Sequence, residues 1–471
     1  MRLGELAGSD EDSPVTGFAL DHRKVAPGCV FGAFSGSRFN GEDFIDAAVK
    51  RGAVAVVARP EARVDGALHL ANSQPRRRFA ELAARFFAPY PETVVAVTGT
   101  NGKTSTVELL RQLWRMAGHR SASIGTLGVT TADDQVKTGL TTPDIVTFLS
   151  NVAGLERMGV SHIAYEASSH GLDQFRAEGV PLRAVAFTNF SRDHLDYHET
   201  MDAYFAAKMR LFDEVAGKDC AAIVWTDDAR SDEVIGHVRA RGLKLLTVGV
   251  KGEDIRLERR ETTPLGQRLT LQHNGNPFTL DLPLIGAYQA SNVLVAAGLA
   301  LATGGSWAET LAGMGRVSPV RGRLERAVIS AAGAPVYVDY AHTPDAIEAA
   351  IAALRPHVTG RLITVIGAGG DRDEGKRPEM GAVAARLSDL VIVTDDNPRG
   401  EDPAAIRRAV MVGAPGAREI GGRREAIAAA VAEARAGDIV LLAGKGHEQG
   451  QIVGDRVLPF DDVGVARECA A

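Results

Sequence analysis

Cysteine is scarce in this chain. Cys29, Cys220 and Cys469 are odd in number, far apart and without metal-ligand spacing, which leaves no basis for a disulfide framework or a cysteine metal site. No apolar run approaches the roughly 18 residues needed to cross a bilayer, and the opening M-R-L-G-E-L lacks an apolar signal core. A reducing cytoplasm and no membrane insertion are therefore expected. Charge of neither sign dominates: 53 basic against 59 acidic residues give a net charge of −6, so nothing invites nucleic acid. The arginine triplet at 76–78 is read as a solvated patch. Repeats and low-complexity tracts are also missing. What remains is a chain of 471 residues, 45% hydrophobic, long enough for two to four domains with real cores. Its expected partners are small molecules, and it is expected to be a monomer.

The most informative stretch is 94–106, V-V-A-V-T-G-T-N-G-K-T-S-T, in which an apolar strand enters a glycine-rich turn and then a helix opened by Lys-Thr. Gly99 and Gly102 allow a tight turn that aims N–H groups inward. Lys103 can reach terminal phosphates, and the Thr104 hydroxyl can hold magnesium at the positive end of the helix dipole. Val97 stands where the common phosphate-loop pattern has its first glycine, so this is the variant G-T-N-G-K-T. The implied ligand is a nucleoside triphosphate. Apolar Leu110, Leu113, Trp114 and Ala117 recur at helical spacing behind it.

Segments 30–34, 54–57, 94–97, 162–165, 184–187, 336–339, 362–366, 390–394 and 439–442 read as strands, with helical stretches such as 41–51 and 75–87 alternating between them. Such alternation predicts parallel sheets with crossover helices, an α/β class; 245–282 is strand-rich. Prolines at 89 and 91 and the S-P-V-R-G-R run at 318–323 suggest divisions into 1–90, 91–320 and 321–471. Ligands of open α/β sheets sit at the carboxyl ends of strands. Those ends here carry Glu166 followed by Ala-Ser-Ser-His170, Asn189 followed by a run to His198, Asp339 to His342, Gly367 to Asp373, Asp395 to Arg399, and Gly444 to Glu448. A carboxylate and an imidazole at neighbouring strand ends beside a phosphate loop are placed to hold magnesium.

The strings G-T-N-G-K-T, E-A-S-S-H-G-L, T-N-F-S-R-D-H-L-D-Y-H, Y-F-A-A-K, G-R-L-E, D-Y-A-H-T-P-D-A, G-D-R-D-E-G-K-R-P, D-D-N-P-R and A-G-K-G-H-E occur in this order between residues 99 and 448. Together they resemble the Mur ligase family. The resemblance implies a central phosphate-loop domain with a mainly parallel sheet, flanked by a small N-terminal α/β domain and a C-terminal Rossmann-like domain. It implies an ATP site at Gly99, Thr100, Asn101, Gly102, Lys103, Thr104 and Ser105, with Asn292, Arg323, Asp339 and His342 completing it. It places magnesium at Thr104, Glu166, His194 and Lys208, the last carbamylated. A carbamate would turn a cation that repels magnesium into an oxygen ligand. Lys103, Glu166, His194 and Lys208 are then the expected catalytic set.

By the same resemblance, UDP-N-acetylmuramoyl-L-alanyl-D-glutamate would lie against Thr141, Thr142, Ser168, Gln174 and Arg176, with its uridine end at Leu20, His22, Ser37, Arg38 and Phe39. Two positions depart from the family pattern: His22 replaces a serine, and Tyr288-Gln289 replaces Phe-Asn. Both are expected to adjust affinity. The amino-acid substrate is implied by Asp396, Asn397, Pro398 and Arg399, which resemble the signature of members adding meso-diaminopimelate. Arg399 can pair with its distal carboxylate through two parallel hydrogen bonds. Arg372, Gly444 and Glu448 would complete that pocket. A lysine-adding relative, a folylpolyglutamate synthetase and a nucleotide-gated binding protein without ligase activity remain the alternatives.

Overall fold

The computed structural model describes residues 1–8, 10–36 and 39–470. The strand Thr93–Thr98 is wholly buried, as its continuous apolar run requires of a strand covered on both faces. It pairs in parallel with Ala184–Phe187 on one side and His162–Glu166 on the other. Around this centre an eleven-stranded sheet continues through Ala221–Trp225 and Lys244–Gly249 on one flank and Ser121–Gly125 on the other. Two antiparallel extensions end it. One is the meander Ile255–Thr263, Gly266–His273 and Asn276–Leu282; the other is Gly128–Thr130 with the two-residue strand Gln135–Val136.

The helices Lys103–Met116 and Ala287–Ala302 pack together on one face of that sheet, where Leu110, Leu113 and Trp114 meet Val293, Leu294 and Leu299. On the opposite face, Val94, Ala96 and Tyr165 share one apolar cluster with Ile145–Arg157 and with Phe79, Leu82 and Ala83 of the helix Pro75–Phe87. That last helix belongs with a smaller sheet of four parallel strands, Gly17–Ala19, Cys29–Gly32, Ala55–Ala58 and Leu68–Ala71, so the first unit is cemented to the central one by a common core. The span 41–51 is a 3₁₀ turn, Gly41–Phe44, followed by the short helix Ile45–Lys50, rather than one helix.

A third sheet has the order Glu325–Ile329, Pro335–Asp339, Ile439–Ala443, Leu362–Ile366, Leu390–Val393, Arg418–Glu419, parallel except at its first pair. Between Pro335–Asp339 and Leu362–Ile366 the chain crosses over Ile439–Ala443, which opens a crevice at the carboxyl ends. A separate hairpin, Gly450–Val453 with Arg456–Pro459, lies beside those ends. Among the described residues no helix is long and apolar enough to cross a membrane.

The arginine triplet is not simply solvated. Arg76 donates to Ser35 O at 2.8 Å and lies 5.1 Å over the Phe34 ring, while Arg77 pairs with Glu214 at 3.3 Å. All three lie at the start of the helix Pro75–Phe87, whose packing brings Arg76 and Arg77 to these partners.

Candidate active site

The loop 99–102 is moulded from behind by the end of the neighbouring strand. Thr100 N donates to Asn189 O at 2.8 Å, Asn101 N donates to Asn189 Oδ1 at 2.8 Å, and Thr188 Oγ1 donates to Asn101 O at 2.6 Å. Gly99 and Gly102 have φ of 145° and 84°; a Cβ on Gly99 would overlap Thr188, and one on Gly102 would overlap Asn292 Oδ1. No side chain caps the helix Lys103–Met116, so its first N–H groups face the loop and form an anion seat. Lys103 Nζ donates to Gly99 O at 2.9 Å and Thr100 O at 2.8 Å, leaving its third N–H for an incoming anion. Thr104 and Ser105 are buried in the first turn, and Arg323 Nη2 reaches Thr104 Oγ1 at 3.1 Å from the third unit.

Glu166 is buried at the end of its strand and accepts from Thr126 N at 2.7 Å and Thr126 Oγ1 at 3.1 Å. Burial raises its pKa, opposed chiefly by the Lys103 ammonium. Lys208, 1% exposed, donates to Gly99 O at 2.7 Å and sits 4.3 Å from the Tyr204 ring centre. Burial holds its amine well below the usual lysine range, and Lys103 pushes the same way. The His194 backbone has φ of 55°, and its ring stands edge-on to His170 at 4.8 Å. Burial keeps His194 neutral, as a ligand must be, and Asp193 lies beside it at 3.5 Å. Burial works against the Asp193 carboxylate, but the Lys376 ammonium and the His194 backbone N–H, which donates to its Oδ1 at 2.9 Å, keep it ionised. Glu166 and the Thr104 hydroxyl are oxygen donors of the kind magnesium takes, the His194 imidazole is a softer partner, and Lys208 would join them only as an oxygen ligand, since an amine is a poor partner for so hard an ion.

Five further expected residues form one network. Thr142 Oγ1 donates to Glu166 O at 2.7 Å and lies 2.9 Å from Ser168 Oγ; Thr141 Oγ1 is 3.1 Å from Thr126 Oγ1. Arg176 donates to Thr142 O at 3.2 Å and to Gln174 Oε1 at 2.6 Å, and Gln174 continues to Tyr197 and Asp173. The first-unit residues are elsewhere. Leu20 packs at the rim of the apolar cluster, the His22 ring stacks on Phe44 at 4.5 Å, and Phe39 is 72% exposed. Ser37 and Arg38 lie outside the described residues. Among the described residues no hydrogen bond joins Leu20, His22 or Phe39 to the Thr142 network.

Asp339 is buried at the end of its strand, where its Oδ2 accepts from Leu324 N at 2.7 Å and Tyr288 OH at 3.4 Å. Arg323 stacks 4.7 Å over Tyr340, with its buried Nε unpartnered, and burial lowers His342 to about 4. In the crevice of the third sheet, Asp396 and Asn397 are buried, and Arg399, with φ of 52°, donates to Gly370 O at 2.8 Å. Asn397 Nδ2 donates to Glu448 Oε2 at 2.7 Å, Pro398 O lies against Gly370, and a Cβ on Gly444 would approach Asp396 Oδ2 at 2.6 Å. Arg372 is exposed and reaches only Asp371 O, at 3.4 Å.

Sequence reasoning marked Asn189 as a strand end without giving it a role, and gave none to Asp193, Tyr197 or Lys445. The first three stand inside the motif 188–198, and Lys445 inside G-K-G, so each was visible but carried no distinguishing chemistry. The two crevices face one another across Arg323–Thr104 and the Arg192–Asp373 pair at 3.7 Å.

Comparison with known proteins follows this division. Residues 97–300 match the Mur ligase middle domain and residues 322–446 the Mur ligase glutamate ligase domain. A UDP-N-acetylmuramoyl-L-alanyl-D-glutamate–2,6-diaminopimelate ligase from Zymomonas mobilis is 61% identical over 467 residues, covering 98% of this chain and 96% of that protein. Its namesake from Bradyrhizobium diazoefficiens is 49% identical over 475 residues, covering 98% and 97%. A solved structure of a ligase of the same name superposes with a TM-score of 0.73 at 32% identity, covering 100% of this chain and 98% of that one. With the phosphate loop and Glu166 inside the first matched segment, Asp339 and residues 396–399 inside the second, and relatives this similar along almost the whole length, the chain belongs to the Mur ligase family.

Proposed function

We propose that this protein is an ATP-dependent amide ligase that joins meso-diaminopimelate to UDP-N-acetylmuramoyl-L-alanyl-D-glutamate, a step in making a peptidoglycan precursor. The observation that carries the reading is the approach of two constellations across one interface, Arg323 of the third unit bonding Thr104 of the phosphate loop at 3.1 Å. A nucleotide held at the loop and an amino acid held near Arg399 would face the same gap. The relatives' names support the choice of substrates.

In this reading the γ-carboxylate of the D-glutamyl residue attacks the γ-phosphorus of ATP, and the bond to ADP breaks, leaving an acyl phosphate. Lys103 and the free N–H groups of Lys103–Met116 meet the charge that develops on the transferring group. The Thr142–Ser168–Arg176 network holds the acceptor against the Glu166 strand end. The neutral amine of diaminopimelate then attacks the acyl carbon, phosphate leaves, and the nitrogen gives up its proton. Magnesium held by Thr104, Glu166, His194 and carbamylated Lys208 would neutralise phosphate charge. Approach of the third unit excludes water that would hydrolyse the acyl phosphate.

Arg399 separates diaminopimelate from lysine. A guanidinium at the pocket wall suits a second carboxylate, which lysine lacks; glutamate, the amino acid of folate-directed ligation, has that carboxylate but lacks the second ammonium that Glu448 would meet. The test is to supply ATP and the UDP-linked dipeptide with meso-diaminopimelate, lysine or glutamate and to identify products by mass. A diaminopimelate adduct with stoichiometric ADP is expected; a lysine product, or ATP hydrolysis with no adduct, would refute the reading.

A further inference from the structure

Lys445 follows the strand Ile439–Ala443, and its side chain is completely buried. Its Nζ has an acceptor for each N–H: Asn397 Oδ1 at 3.0 Å, Glu448 Oε2 at 3.1 Å and Asp396 Oδ1 at 3.4 Å. Asn397 Oδ1 also accepts from Ile452 N at 2.9 Å, and this pair of donors turns the amide so that its Nδ2 points at Glu448 Oε2, 2.7 Å away. The ammonium thus fixes a rotamer, and the rotamer fixes a carboxylate of the pocket.

The hairpin Gly450–Val453/Arg456–Pro459 grips the same loop from outside. Gln451 Nε2 donates to Asp396 O at 2.6 Å, Arg399 N donates to Ile452 O at 3.1 Å, and Gly454 N donates to Arg399 O at 2.7 Å. Residues 396–399 therefore run along the hairpin edge, which holds Arg399 at a φ of 52° that a residue with a side chain seldom adopts. Beneath, Arg423, fully buried in an ion pair with Asp462, donates to Ala443 O at 3.1 Å and Asp395 O at 3.4 Å, stitching two strand ends together. A buried cation is costly unless paired, and two carboxylates around one pocket repel.

We propose that Lys445, assisted by Gln451, is the positioning residue that sets the charge and shape of the amino-acid pocket. It cancels one of the two carboxylates, Asp396 and Glu448. The pocket then carries one uncancelled negative charge for an ammonium and, at Arg399, one positive charge for a carboxylate. That pattern fits the zwitterionic end of a diamino dicarboxylic acid and excludes a lone ammonium end. The inference rests on the ligase reading above.

The test compares the full-length protein with Lys445→Met and Gln451→Ala, measuring KM and kcat for meso-diaminopimelate, lysine, ATP and the UDP-linked dipeptide. In Lys445→Met the KM for diaminopimelate should rise by roughly 100-fold, the scale of unpairing a desolvated charge. Its preference over lysine should collapse, and the KM for ATP should stay put. Gln451→Ala, a change in a half-buried side chain of the hairpin, should move the same KM by about tenfold and decides the matter if Lys445→Met does not fold. An unchanged diaminopimelate KM in a folded variant, or an equal loss in every parameter, would overturn the proposal. Failure of the parent to ligate diaminopimelate at all would instead overturn the ligase reading.

Discussion

Lys208 shows how burial alone can prepare a residue for chemistry. A lysine in water is a cation and reacts slowly with carbon dioxide; one whose amine is enclosed and beside another ammonium stays neutral and nucleophilic. Its amine can add to carbon dioxide, lose a proton and present an oxygen ligand. Lys208→Ala is therefore expected to lower ligation by about two to four orders of magnitude, the scale of removing an essential electrostatic group, while dipeptide binding persists. Intact-protein mass should show one added CO2 on the parent and none on the variant; full activity in the variant would reject the assignment. Gly102 is a second single-residue test. Its φ of 84° and the Asn292 side chain above it leave no room for a methyl group. The left-handed backbone alone costs a residue with a Cβ roughly 1–2 kcal/mol. Gly102→Ala should lower the melting temperature and raise the KM for ATP at least tenfold, by order of magnitude. Adding Asn292→Ala should recover the part of the stability lost to overlap but not nucleotide affinity, because the left-handed strain stays and Asn292 is itself expected at the ATP site. Recovery of neither would place the damage elsewhere.

At the scale of elements, the proposed reading assigns the substrate choice to the loop after Leu390–Val393. If Arg399 pairs with the distal carboxylate, Arg399→Ala leaves that carboxylate without its partner, a loss of about 2–5 kcal/mol, or about one and a half to three and a half orders of magnitude in efficiency. Lysine should be affected far less. Kinetics with both amino acids gives a ratio that cancels general damage, and equal loss for both would refute the pairing. The loop was legible in the sequence only through the family resemblance, since Asp-Asn-Pro-Arg taken alone reads equally well as a proline turn with a solvated arginine. The strand Thr93–Thr98 was legible for a different reason: burial on both faces writes itself as an unbroken apolar run. Gln135–Val136 and Arg418–Glu419 left no such trace, being two-residue exposed edges with no period to detect. Lys445 failed in the opposite way. Between two glycines it looks like a surface lysine, and only the fold, bringing Asp396 and Asn397 to it across almost fifty residues of chain, makes it a buried one. The Thr142–Ser168–Arg176 network was reached through family resemblance, since no local pattern connects its members.

The molecule as a whole joins two sheets by their carboxyl ends, and burial in that interface holds His342 and His447 unprotonated. His342 and His447 both belong to the third unit. Burial lowers His342 to about 4, helped by Lys376; it lowers His447 to about 3, helped by Arg323 and Arg321. The Nδ1 of His447 is buried without a partner, so nothing there rewards a positive ring. In the unfolded chain both would titrate near 6.5, the ordinary value. Between 6.5 and about 3 the unfolded chain thus binds a proton at His447 that the folded protein refuses. Stability from this source is complete above 6.5 and drains away as pH falls toward the folded value. Glu166 and Asp339 pull the other way, because burial raises their pKa and the folded state binds their protons first. A bare melting curve against pH mixes the two. The difference between His447→Gln and the parent isolates one group. That variant carries no titrating ring at 447, so its melting temperature relative to the parent should climb steadily as pH is lowered from about 7 toward 4, with no change above 7. A difference that stays flat across the window would mean that His447 titrates alike in both states, and that the interface does not exclude its charge.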